Sequence, residues 1–234
     1  MGHHCTVDVQ LEKLGLVPFF RQLSAEELQK VNEMFRAKHF AAGDVVYYQD
    51  EPASYLRVLV HGSVKLIQHT TEGKDILVDM LKPGEYFGSL SVLGDDHYTE
   101  TAVAQSDSCI LVIANREFRD ILNSRPAVAV TVLDITSEKL NKAREMTRHF
   151  TTMAVEKRIA HILITLCEKF GEESKHGQLL QVPLSRKDIA DMAGTSTETA
   201  SRIMSRFQEN GFITSGRQWV AIRDKEGLTA IMGS

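Results

Sequence analysis

Three cysteines in 234 residues, Cys5, Cys109 and Cys167, are few and widely spaced. That count fits a reducing cytosol better than a disulfide framework, and it excludes a four-thiolate iron–sulfur cluster held by one chain. No run of about 18 apolar residues occurs, so no membrane-spanning helix is expected. The opening Met-Gly-His-His-Cys lacks the apolar core of a secretory signal. There is no phosphate-binding loop, no His-Glu-x-x-His pair and no nucleophile and base at recognisable spacing, so the chain is not expected to be an enzyme. Internal repeats and low-complexity tracts are also missing. Basic charge is in short supply: 27 Lys and Arg stand against 31 Asp and Glu, a net charge of −4. That balance argues weakly against nucleic acid for the whole chain and leaves open a single binding domain. The apolar (43%) and charged (25%) fractions are ordinary for a globular protein, and the length suits one large or two small domains.

The most informative stretch is residues 184–222. Ser185 followed three residues later by Asp188 has the form of a helix N-terminal capping box. Ile189, Ala190 and Ala193 follow at helical spacing, and Gly194 stands where a first helix has to stop and turn. Thr195-Ser-Thr-Glu198 opens a second helix in the same way. Ala200, Ile203, Met204 and Phe207 give that helix an apolar face, and Thr197, Glu198, Ser201, Arg202 and Arg206 share the other. In a helix-turn-helix, such a second helix enters the major groove of DNA. Asn210-Gly211 ends it, and residues 212–222 read as a two-stranded wing turned at Ser215-Gly216. Arg186, Lys187, Arg202, Arg206 and Arg217 nearly balance Asp188, Asp191, Glu198 and Glu209 here, which predicts specific binding with a modest nonspecific component.

Upstream, residues 24–35 read as a short amphipathic helix, with Ser24 and Glu27 as a capping box and Leu28, Val31, Met34 and Phe35 facing inward. From residue 38 to 113 the texture is β-rich. Runs at 45–48, 56–60, 64–68, 76–81 and 109–113 are punctuated by Gly43, Gly62, Gly73, Gly84 and Gly88, as in an antiparallel sandwich or barrel. Glu72-Gly73 reads as a hairpin turn. Residues 115–123 form a short helix, and a long one runs over 127–149. Ala129, Leu133, Thr136, Leu140, Ala143, Thr147 and Phe150 step by four and three along it, a heptad seam suited to a homodimer interface. Residues 150–153 read as a hinge. Residues 155–170 form another amphipathic helix with Ile159, Ile162, Leu163 and Leu166 inward, 171–177 a polar turn and 179–182 a strand.

This order, together with Leu59-Val-His-Gly-Ser-Val-Lys65, Pro83-Gly-Glu-Tyr-Phe-Gly88 and residues 184–202, resembles the family of the cyclic-AMP receptor protein and the fumarate-nitrate reductase regulator. The resemblance covers residues 19–228. It implies an α+β fold: an N-terminal antiparallel β-barrel of jelly-roll type in residues 1–126, a dimerisation helix in 127–150, a hinge at 151–153 and a winged helix-turn-helix in 154–234. It also implies a cytoplasmic homodimer acting on double-stranded promoter DNA, with RNA polymerase as a further partner if the protein activates transcription.

The effector is where this chain departs from its relatives. Cyclic-AMP binders carry a glutamate after the Gly-Glu-x-x-Gly turn and an Arg-Ser pair about ten residues on. Here Gly88 is followed by Ser89 and Leu90, and Thr99 and Glu100 stand at the phosphate pair. A carboxylate there repels an anion, and no arginine is left to form a charge-assisted fork. Cyclic AMP is therefore not expected. The iron–sulfur members need several N-terminal cysteines, and Cys5 stands alone. Haem is a further family option, with His97, His3 and His4 as candidate ligands beside Cys5, and His39, His61 and His149 elsewhere. A small organic ligand and control by abundance alone stay open as well. Thiol sensing through Cys5 or Cys109 has no basic sequence neighbour to support it.

Relatives place a Glu and an Arg four residues apart on the recognition helix, here Glu198 and Arg202. Arg offers a planar fork to guanine and Glu accepts from the cytosine amino group. The Glu198-x-x-Ser201-Arg202 pattern resembles the fumarate-nitrate class, which implies a TTGAT-N4-ATCAA-like site. Ser196 and Thr197 accompany that pair, and Arg206 and Lys187 are expected on phosphates.

Overall fold

A computed structural model describes residues 5–71, 73, 75–91, 96–180 and 182–233, and their side chains except those of 142, 145–152 and 233. The chain divides into two units whose main boundary falls between Lys142 and Ala143.

The first unit opens with α1 (Val7–Leu16), a 3-10 turn (Pro18–Phe20) and α2 (Ala25–Glu33). Ser24 and Glu27 close the expected capping box on α2. Eight strands follow: β1 (Arg36–Phe40), β2 (Val45–Tyr47), β3 (Tyr55–His61), β4 (Val64–His69), β5 (Asp75–Leu81), β6 (Tyr86–Gly88), β7 (Thr101–Ala104) and β8 (Ser108–Ala114). They form two four-stranded sheets, ordered β1-β8-β3-β6 and β2-β7-β4-β5. The expected barrel is thus a jelly-roll-like pair of sheets and is not closed. α3 (Asn115–Ser124) leads into α4 (Pro126–Thr152).

Strand periodicity explains the two cores. Side chains alternate between faces along β3 and β8. Leu56, Val58, Val60, Cys109, Leu111 and Ile113 point to one cluster, shared with Leu14, Phe19, Phe20, Phe118 and Val128 from the helices. Leu59, Ile110 and Val112 point to the other, with Tyr47, Val64, Leu66, Phe87 and Ala102. Because both faces of these central strands are covered, β8 reads as a continuous apolar run and not as an alternation. At the sheet edge β1 is polar and exposed over four of its five residues. Its sequence carries no strand pattern, and α1, β6 and β7 are likewise not predicted by local pattern.

The second unit contains α5 (Val155–Phe170), β9 (Gly171–Ser174), β10 (Gly177–Leu180), α6 (Arg186–Ala193), α7 (Thr197–Glu209), β11 (Ile213–Gly216), β12 (Trp219–Ile222) and α8 (Lys225–Gly233). Several expectations need correction here. The polar turn at 171–177 is largely strand β9, which pairs with β10. The wing belongs to a four-stranded sheet, β11-β12-β10-β9. Its turn lies at Arg217-Gln218, because Gln218 takes the left-handed conformation (φ 62°) while Ser215 and Gly216 stay paired in β11. The break between α4 and α5 is also narrower than the expected hinge, at Met153-Ala154.

Candidate nucleic-acid interface and sensor cavity

The helix-turn-helix is built by local chemistry. The Ser185 hydroxyl accepts from the Asp188 backbone N–H (3.1 Å), and Asp188 Oδ2 accepts from the Ser185 N–H (2.8 Å), closing α6 at its start. Gly194 closes its end in the left-handed region (φ 59°, ψ 49°), where a Cβ is disfavoured. The cap of α7 is Ser196, whose hydroxyl accepts from the Thr199 N–H at 3.1 Å. The cap expected from sequence is Thr195, one residue earlier. The shift makes Glu198 the second helical residue and takes it out of the capping position.

Ala200, Ile203, Met204 and Phe207 of α7 are buried, as are Ile189, Ala190 and Ala193 of α6. That packing fixes which face of α7 is left outward. Ser196, Thr197, Glu198, Arg202 and Arg206 are exposed on it, and Ser201 is half-buried. Glu198 and Arg202 stand at i and i+4 and so lie on the same face. Arg206 Nη2 meets Glu156 Oε1 of α5 at 2.6 Å. Lys187 is exposed in the first turn of α6. Arg186 is not among the site residues expected from sequence, yet it organises the module. Its Nη2 donates to Ser215 Oγ (2.8 Å), which donates to Gln208 Oε1 (2.9 Å). This chain of bonds ties α6, the wing and the end of α7 together. Burial lowers the pKa of the Arg186 guanidinium from its ordinary value.

On α4, Val128, Val132 and Ile135 pack into the helix-facing core. The opposite side leaves Val130, Leu133 and Leu140 exposed by 59, 66 and 53%, with Thr136 and Ala143 exposed beside them. The side chains of Thr147 and Phe150 lie outside the described residues.

In the first unit, a cavity of about 260 Å³ is lined by Gly88, Leu90 and Glu100 of the expected effector set, together with Asp79, Tyr86 and Lys139. Ser89 does not line it. Ser89 is buried, its N–H donates to the Tyr55 carbonyl (3.1 Å) and its Oγ accepts from the Ser91 N–H (3.0 Å). The Thr99 hydroxyl donates to Glu100 Oε2, and Glu100 Oε1 accepts from the Tyr47 phenol at 3.1 Å. Burial, and then the neighbouring Glu100 carboxylate, pushes the Tyr47 pKa up. Arg57 lies nearby, 7% exposed, with its guanidinium over the Tyr47 and Tyr98 rings and Nη1 donating to Tyr98 OH at 2.7 Å.

His97 is exposed and bridged through its backbone to Pro52, outside the cavity lining. His3 and His4 lie outside the described residues. A grouping with no signature in the sequence stands elsewhere: Cys5 and Cys109 are joined in a disulfide, with His39 beside them. The pairing corrects the expectation of unlinked cysteines. A separation of 104 residues hides it in the sequence, and β1 brings the histidine.

Residues 37–125 match the cyclic nucleotide-binding domain family, and residues 157–231 match the Crp-like helix-turn-helix domain family. The chain is 26% identical over 231 residues to the probable transcriptional regulator flp of Lacticaseibacillus casei, covering 97% of this chain and 98% of that protein. It is 26% identical over 214 residues to the cyclic AMP receptor protein of Thermus thermophilus, covering 92% and 96%. Among solved structures, FixK2 from Bradyrhizobium japonicum superposes with a TM-score of 0.75 at 22% identity, over 84% of this chain and 96% of that one. No helix among the described residues is long and apolar enough to cross a membrane.

Proposed function

This chain belongs to the family of transcription regulators that includes the cyclic-AMP receptor protein and the fumarate-nitrate reductase regulator, and on that premise we propose that it is a homodimer reading a palindromic TTGAT-N4-ATCAA-like site. The observation that carries this reading is the outward face of α7, where Glu198 and Arg202 stand exposed one turn apart on a helix held rigidly by its buried side. An arginine fork suits guanine O6 and N7, and a carboxylate suits the cytosine amino group. Arg206 and Lys187 then serve the phosphates, which fix register without reading sequence. The exposed Val130, Leu133 and Leu140 on α4 support a second copy packed along that helix, because apolar side chains of this size gain about 1.5–3 kcal/mol each when fully buried.

The sensor cavity supports a ligand other than cyclic AMP. Glu100 lines it, and Ser89 is turned into the backbone with its hydroxyl occupied. A cyclic phosphate would face a carboxylate, and the ribose would lose its acceptor. Haem is not favoured by a histidine here, since His97, His39 and His61, the candidate ligands among the described residues, all lie outside the cavity lining.

Selection from random duplexes with the full-length protein tests the reading. It is expected to enrich two inverted TTGAT-like half-sites separated by four base pairs, with retardation of one dimer per site and no change on adding cyclic AMP. Enrichment of an unrelated or asymmetric sequence, or binding that requires cyclic AMP, would overturn it.

A further inference from the structure

Cys5 lies just before α1, and Cys109 and His39 stand directly opposite each other on β8 and β1. Residues opposite each other in an antiparallel pair project to the same face of the sheet, so the imidazole on the edge strand β1 and the Cys109 sulfur on β8 share one face of the sheet. The Cys5 and Cys109 Cα atoms are 6.2 Å apart. The ligand atoms of all three residues lie within 4.8 Å of one another. We propose that, once the cysteine pair is reduced, Cys5, His39 and Cys109 form a binding site for a thiophilic divalent cation of the zinc type.

The donor set selects that class. Two thiolates and an imidazole suit zinc and disfavour magnesium or calcium, which take oxygen ligands. With Zn–S near 2.3 Å, two sulfurs on a tetrahedral ion stand roughly 3.8 Å apart, which the Cα separation accommodates. The surroundings suit a site as well. Cys109 is 2% exposed in a packed strand and serves as a fixed anchor, whereas Cys5 is half-buried and His39 exposed, so the ion has a way in. Gln10 donates to the Cys5 carbonyl (3.0 Å) and places its amide 3.9 Å from the Cys5 sulfur, the kind of outer contact that orients a ligand. Three protein donors leave one tetrahedral position for water.

The chemistry has two steps. A dithiol reductant first gives two electrons and two protons to the Cys5–Cys109 disulfide, yielding two thiols and its own disulfide. The cation then displaces both thiol protons and binds the two thiolates and the neutral imidazole, releasing two protons. The disulfide and the metal-bound form are therefore mutually exclusive.

Cobalt(II) titration of the full-length protein, reduced with a dithiol and then freed of it under anaerobic conditions, tests the site. The expected result is one cobalt per chain, with a thiolate-to-cobalt charge-transfer band, the visible bands of tetrahedral cobalt, and displacement by zinc. Cys5→Ser should weaken binding at least a hundredfold and His39→Ala at least tenfold with altered visible bands. Cys167→Ser and the oxidised protein act as controls, the first retaining the signal and the second lacking it. Cys109 is left intact because its burial makes its replacement a folding risk. No stoichiometric uptake by the reduced protein, an unchanged spectrum in His39→Ala, or retention in Cys5→Ser would each overturn the proposal.

Discussion

Replacing Arg202 with alanine tests the reading face most directly. Its side chain is exposed on α7, while the neighbours that hold the helix, Ala200, Ile203 and Met204, are buried and untouched by the change. Fold stability should therefore move by no more than about 0.5 kcal/mol. A good bidentate contact to a base discriminates by about 1–3 kcal/mol. A two-fold complex contains two of them, so the loss on the full site is about 2–6 kcal/mol. At 1.4 kcal/mol per decade this spans roughly 30-fold to 20,000-fold in Kd. Fluorescence anisotropy would compare three duplexes at one salt concentration: the TTGAT-N4-ATCAA site, the same site with adenine for guanine in each half, and an unrelated sequence. The parent protein should discriminate strongly between the first two, and Arg202→Ala should bind them alike while keeping its affinity for the unrelated duplex. Equal losses on all three would refute a base-reading role and reduce Arg202 to a phosphate partner.

Arg206→Ala removes a cation paired with Glu156 at 2.6 Å, with both groups partly exposed. Stability should change by less than about 1 kcal/mol. If each Arg206 neutralises one phosphate, the slope of log affinity against log salt should fall by about 1 per half-site. A changed base preference would contradict this role. Replacing Leu133 and Leu140 together by glutamate puts charge on the exposed side of α4 and should shift sedimentation from dimer to monomer while circular dichroism shows the chain still folded; a persisting dimer would place the interface elsewhere. Gly194→Ala forces a Cβ into the left-handed turn between α6 and α7 and should cost about 1–2 kcal/mol in urea unfolding. An unchanged midpoint would show that the turn relaxes.

The parts of this protein legible in its sequence are those set by short-range chemistry. Ser24 with Glu27 and Ser185 with Asp188 predict helix starts that the structure reproduces as full capping boxes. Gly194 predicts the turn, and the spacing of Ala200, Ile203, Met204 and Phe207 predicts the buried side of α7. What local pattern misses is marginal by itself or depends on distant partners. β1 is an edge strand whose polar Arg-Ala-Lys-His-Phe gains its form only by pairing with β8. The polar Gly-Glu-Glu-Ser of β9 reads as a turn, and only its pairing with β10 makes it a strand. At Thr195 the difference is one residue, since two adjacent hydroxyls both suit a cap and only the backbone decides between them. The cavity is legible in part: Gly88, Leu90 and Glu100 line it, but Asp79 and Lys139 arrive from β5 and α4. The Cys5–His39–Cys109 grouping is invisible in the sequence, because three separate segments meet there.

Those segments also bear on how an effector, under the proposed function, would act on α4. The cluster on one face of β3 and β8 takes in Cys109, with Cys5, Val9 and Leu90 packed against it, and it seats the start of α4 through Val128, Val132 and Ile135. Leu90 also lines the cavity. The cavity lining and the cysteine pair thus share neighbours in one packed cluster. Protein interiors are dense and transmit small displacements to their neighbours. The energy required is modest. A tenfold change in DNA affinity corresponds to about 1.4 kcal/mol, and one buried methylene is worth about 0.8 kcal/mol. Exposing or burying about two methylenes where Val128, Val132 and Ile135 pack, in one of two states, is enough. A ligand or metal ion shifts the equilibrium only by its differential affinity for those states. Substitutions at Val132 should accordingly change the size of the DNA response to an effector more than they change the affinity for the effector itself.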